Sequence, residues 1–135
     1  MASPVWAFQQ ALYARLAAAL SPVPVFDHAP QNQAAPFVDI GDMDTRQDDL
    51  LAASGARRTA VNLVLAAWGP PSQAGQKALH EYAETITAAL HEQQRAFTLS
   101  TGSLVFIRVT GTRVVTESDG IARSVLVMVS AYLQH

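Results

Sequence analysis

Apolar residues recur along this chain with two different periods, and each change of period marks the end of one element and the start of another. Val5, Phe8, Leu12, Leu16, Ala19 and Leu20 follow one another at helical steps and make one face of an amphipathic helix. Ser3 is placed to cap it and Pro4 lies in its first turn, while Ser21-Pro22 and Pro24 end it. Its second half is rich in Ala, which permits close packing against a sheet. Val25-Phe26-Asp27 then predicts a short strand, followed by a polar loop from His28 to Ala35. Pro36 opens a second short strand, Phe37-Val38-Asp39-Ile40, which Gly41 closes. Asp42 to Gly55 carries several acids and little periodicity, so a long exposed loop is expected there. Loops of that length in compact domains are often functional.

Arg58 to Trp68 has the strongest strand pattern. Val61, Leu63, Leu65 and Ala67 alternate with Asn62, Val64, Ala66 and Trp68, and both sets are largely apolar, as for a strand lying centrally in a sheet or against a partner. Gly69-Pro70-Pro71-Ser72 stops it. From Gln73 to Gln94 the period is helical again, with Leu79, Tyr82, Ala83, Ile86 and Leu90 as the buried stripe and His80, Glu81, Glu84, His91 and Glu92 outside it. Leu104 to Thr110 predicts a strand that runs on through Val114 and Val115. Asp119-Gly120 is a two-residue hairpin turn, and Ile121 to Leu133 follows with Val125, Val127, Val129, Ala131 and Leu133 on one face. The fold class is therefore α+β: an antiparallel or mixed β-sheet with two helices packed on it.

Composition narrows the function. With 135 residues, the chain fits one domain, 1–135, large enough to bury a core without staples. The absence of cysteine removes disulfide frameworks, thiolate zinc sites and cysteine nucleophiles. Charged residues make up only 15% against 50% hydrophobic, so a small domain of this kind leaves apolar surface for partners. A net charge of -2 argues against wrapping nucleic acid, which calls for a basic face. Met1 to Pro4 has no basic residue and Gln9, Gln10 and Arg15 interrupt the apolar stretch that follows, unlike a secretory signal. The chain is expected to begin as mature protein in the cytoplasm.

The motifs of the commonest chemistries are all broken in this chain. Gly75-Gln76-Lys77 at a helix start lacks the Gly-Lys adjacency of a phosphate loop, and Ala78 stands where Ser or Thr would hold magnesium. Asp42-Met43-Asp44 begins like a calcium loop, but Arg46, Gln47 and Ala53 occupy positions that need an acid or Asn, a Gly and a bidentate Glu. His80, Glu84 and His91 share a helix, but their spacing is too long for one zinc ion to join all three. Ser100, Ser103, Ser118 and Ser130 lie in strand or turn contexts and none sits in a nucleophile elbow. No catalytic residue, cofactor or metal is expected.

The order of features is more informative than any one residue. A leading helix with Leu12 and Leu16 is followed by Pro24-Val25-Phe26-Asp27-His28-Ala29-Pro30, by Pro36-Phe37-Val38-Asp39-Ile40-Gly41, by an acidic segment and by a long apolar strand ending at Trp68. A helix through Ala78, Ala83, Ile86 and Leu90, then a hairpin with Asp119-Gly120 and a Val-rich last strand, complete the set. This order resembles the tail terminator, or tail-completion, family of long-tailed phages and gene transfer agents. The resemblance implies a tail-terminator-like protomer that forms a six-membered ring on the tail tube, ends tube polymerisation and joins tail to head-side neck proteins. It further implies DNA passing through the lumen without specific binding, no enzymatic activity, and a place in the virion at the head-proximal end of the tail, after synthesis in the bacterial host.

Under that resemblance Asp42, Asp44, Asp48 and Asp49, with Arg46 among them, are the candidates to line the lumen or face the tube, since an acidic bore lets DNA slide. Arg57 and Arg58 either pair with acids on a neighbouring copy or form a solvated strand end. Two other classes fit the same composition. One is another connector or adaptor of the neck; the other is a small oligomeric enzyme or ligand-binding domain whose pocket, formed by His80, Glu84 and a neighbour's Asp42, exists only between subunits.

Overall fold

A computed structural model of the chain describes residues 4–28, 36–47, 58–69, 75–116 and 123–135. Helix α1, Pro4–Leu20, leads into the two-residue strand β1, Val25–Phe26, and then into β2, Phe37–Gln47, and β3, Arg58–Trp68. Helix α2, Gly75–Leu90, a single 3-10 turn at Gln94–Ala96, and the long strands β4, Ser103–Thr116, and β5, Arg123–Gln134, complete the chain. The five strands form one sheet in the order β1-β2-β3-β5-β4. Among the described strands only the β1–β2 pair is parallel, so the sheet is mixed, and the α+β expectation holds.

Burial follows the two sequence periods. Phe8, Leu12, Leu16 and Leu20 of α1 and Leu79, Ala83, Ile86 and Leu90 of α2 join Val61, Leu63, Leu65 and Ala67 of β3 and the alternate residues Val125 to Leu133 of β5 in one core. Both helices thus serve the same face of the sheet. Ala19 departs from the expectation and is exposed, while Ala7 is buried in its place. The Ala-rich half of α1 runs beside α2: Ala11, Ala14, Ala18 and Ala19 face Ala88 and Ala89 across an open groove, and Arg15 Nε donates to the Ala89 carbonyl. Arg15 also lies over the Phe97 ring, 5.7 Å from its centroid.

The largest difference from the sequence expectation is β2. Asp42 to Gln47 is strand rather than loop, paired antiparallel with β3 as far as Gln47↔Thr59. Little of this extension is buried: Met43 packs on the core, but Asp44, Thr45, Arg46 and Gln47 are exposed. Ladder hydrogen bonds to a long β3 hold it, and these leave no hydrophobic alternation to read. The register shifts between Ile40 and Met43, a bulge that brings Gly41 against its neighbour. A Cβ on Gly41 would stand 2.6 Å from the Val64 carbonyl oxygen, a rigid backbone atom. Gly41→Ala is therefore expected to cost about 1–3 kcal/mol through forced displacement of the ladder, measurable as a lower midpoint in urea unfolding.

Both edges of the sheet are partly covered. On one side β1 pairs with β2 only at Val38 and Asp39. On the other, the turn after α2 lies along β4. Glu92 adopts a left-handed φ of 57°, which aims its N–H at the Ile107 carbonyl (2.8 Å), and the Val109 N–H donates to Nδ1 of His91 (3.1 Å). The backbone cost of a non-glycine residue there is offset by satisfying an otherwise open edge. At the C-terminus, His135 Nε2 and Thr59 Oγ1 share a hydrogen bond of 2.9 Å, tying the end of the chain to β3.

Candidate assembly interface

The two faces of the sheet are unlike. One carries the helices. The other, formed by the alternate residues of every long strand, is bare of described structure and mixes polar with large apolar side chains. Val64 at its centre is 40% exposed, and Leu126, Met128 and Tyr132 are half-buried beside it. At one end of this face Phe37 stacks on Trp68 with ring centroids 6.0 Å apart, and Phe26 meets Phe37 edge-on at 6.2 Å. At the other, Phe106 stacks on Tyr132 at 5.4 Å and the Arg108 guanidinium lies 4.7 Å from the Phe106 centroid. Aromatic and arginine side chains held by stacking lose little further freedom on binding, which is why they anchor protein interfaces.

Strand register assigns each residue of the bare face to a row. Asp39 lies opposite Ala66, which faces Leu126, which faces Arg113. Asp44 lies opposite Asn62, which faces Ser130, which faces Arg108. Arg46 lies opposite Ala60, which faces Tyr132, which faces Phe106. Beside Arg108 an open recess is lined by Glu92, Gln93, Gln94, Arg95 and Phe106.

The residues singled out from sequence fall as follows. Asp42, Asp44 and Arg46 lie on β2, with Asp44 and Arg46 exposed. Asp48, Asp49 and Arg57 lie outside the described residues, as does the Asp119-Gly120 turn. Arg58 is half-buried on β3 opposite Gln134, and its Nε is buried without a hydrogen-bond partner among the described residues. The structure thus brings Asp44 and Arg46 onto one face and leaves Arg58 at its end. Sequence reasoning missed Phe106, Arg108, Arg113 and Tyr132. Their signal was present in the alternation of β4 and β5, where the residues between the Val positions of β5 are themselves large.

The helix polar residues considered for metal or catalysis are dispersed. His80 and Glu84 are exposed on α2 and line a shallow hollow with Thr87 and Thr112, while His91 is taken up by the β4 edge. Lys77 is exposed and 4.0 Å from Glu81, one helical turn away. Among the described residues no group of three or more His, Asp or Glu could hold a metal ion. No described helix is long and apolar enough to cross a membrane.

A half-apolar sheet face flanked by stacked aromatics is the kind of surface by which a structural protein works through contact with other chains. The particular family is the tail completion protein gp17 family, whose pattern the sequence matches over residues 10–134, and the chain belongs to it. The protein is accordingly a structural tail component of a virion, and not an enzyme. No individual curated protein sequence matches. Among solved structures, a chain of the virion of a native gene transfer agent particle superposes with a TM-score of 0.76 at 18% identity, over 100% of both chains. That likeness carries the fold.

Proposed function

We propose that the protein caps the tail tube as a ring of six copies, ends tube polymerisation and joins the tail to the head-side neck, with DNA passing through the lumen. The observation that carries this reading is the bare sheet face of a chain in the tail completion family. A monomer that kept such a face would leave Val64, Leu126, Met128 and Tyr132 in partial contact with water, whereas an assembly buries them. A head-to-tail contact between identical copies closes into a ring when its rotation divides the circle. Of the acidic segment, Asp42, Asp48 and Asp49 then line the lumen or face the tube, where negative charge keeps DNA from adhering.

The test is native mass, alone and mixed with tail tubes from the same particle. The expected species is a ring of about six 14.5 kDa copies, free or on tube ends, and tubes so capped stop growing. A stable dimer that ignores tubes overturns the reading. Binding to isolated heads but never to tubes assigns the protein to a different connector of the neck.

A further inference from the structure

Two acids on one edge of the bare face match two arginines on the other in spacing. Asp39 and Asp44 on the β2 side occupy the same two rows as Arg113 and Arg108 on the β4 side. The rows are four residues apart along β3 and β5, roughly 13–14 Å at ordinary strand rise. Both outer strands are bulged at the row of Val64 and Met128: β2 between Ile40 and Met43, β4 between Val109 and Gly111. The bulges matter because they preserve the match. Without either one, the charge beyond it would point to the helix side of the sheet.

From this we infer that the copies join edge to edge, the β2 side of one protomer against the β4 side of the next, with Asp44 paired to the neighbour's Arg108. The inference rests on the ring reading and names its seam. In the same register Arg113 falls in the row of the neighbour's Asp39, and Arg46 falls in the row of the neighbour's Phe106. β2 and β4 run in opposite directions within a protomer, so neighbouring copies meet antiparallel with no change of orientation.

The seam is made by side chains and not by a shared sheet. In this register Asp44 faces the part of β4 already occupied by Glu92 and His91, and Arg113 faces the part of β2 already paired with β1. Strand addition is blocked at both rows, while long side chains can still span the gap. The Arg108 guanidinium, stacked over Phe106, keeps its in-plane N–H groups available to a carboxylate. The adjoining recess supplies Arg95 as a second cation against the single carboxylate of Glu92. A second copy is the occupant whose acid arrives in the required row.

Two reversals test it: Asp44→Lys and Arg108→Glu, each at an exposed position. Circular dichroism melts within a few degrees of the parent establish that both variants fold. In native mass measurements with tail tubes present, each variant alone should lose ring formation at least tenfold in the concentration required, because every seam then sets like charges together. An equimolar mixture should regain it. Alternating copies then set the introduced lysine against the introduced glutamate at one seam, and Asp44 against Arg108 at the next. Rings of either variant at the parental concentration would place the seam elsewhere and leave the ring reading intact. Loss in each alone without recovery in the mixture would overturn the pairing. A parent that never forms rings, on tubes or off them, removes both readings together.

Discussion

Leu65→Ala is expected to lower the stability of the protomer by about 3–4 kcal/mol, the middle of the range for a leucine truncated in a core. Leu65 is fully buried on the central strand, between Ile40 of β2 and Val127 of β5, themselves buried and fixed by hydrogen-bonded ladders. Such neighbours cannot move inward to fill the space, so the cavity term adds to the lost transfer energy. Against a typical total of about 5–15 kcal/mol the loss is a large fraction. It corresponds to a melting point lower by roughly 10–15 °C for a chain of this size. Thermal unfolding followed by circular dichroism checks it. Leu65→Met conserves volume and should cost less than about 1.5 kcal/mol. If both variants melt alike, the strand is less tightly held than its burial indicates.

Val64→Asp, one residue away on the same strand, should do the opposite. Val64 points to the bare face and is 40% exposed, so the protomer loses only the β-propensity difference, about 1 kcal/mol or less. The effect on assembly should be near complete. In the tail the substitution sets a carboxylate against apolar surface with no cation in its row, because the row holds Met128 and Gly111. Particles made with this variant are expected to show tails of uncontrolled length that fail to join heads, scored by electron microscopy and by transfer or infection titre. Val64→Thr, similar in shape and tolerant of water, should retain most of the activity. Normal tails with Val64→Asp would show that the bare face meets no partner. The two substitutions together separate folding from assembly: adjacent residues of one strand, one costly chiefly to the fold, the other chiefly to the contact of the bare face with a partner.

The order of elements was legible because burial enforces it. The helical stripe of Leu79, Ala83, Ile86 and Leu90 and the strand alternation of Val125 to Leu133 are what a helix and a strand need in order to hide one side, and the core uses those residues. β3 could be read to its ends for the same reason. β2 could not. Its second half, Gly-Asp-Met-Asp-Thr-Arg-Gln, is exposed from Asp44 onward, so nothing but the neighbouring strand marks it as extended. Backbone pairing carries no residue code, and a segment stabilised that way reads as loop.

The bare face was legible only in part. Composition alone indicated a protein that assembles: few charges, much apolar surface, failed matches at Ala78, Arg46, Gln47 and Ala53 for the commonest chemistries. Asp44 and Arg46 were visible as an acidic segment with a cation in it. Their relation to Arg108 and Phe106, about sixty residues along the chain, was not. It depends on strand order, which places β5 between β3 and β4, and on two one-residue bulges that set which side of the sheet each charge faces. Sequence by itself determined the period of each element that buries a face, most of the core and the kind of work done. Tertiary structure alone decided which residues share a row, because register is fixed by pairing between distant strands and a slip of one residue turns every side chain to the opposite face.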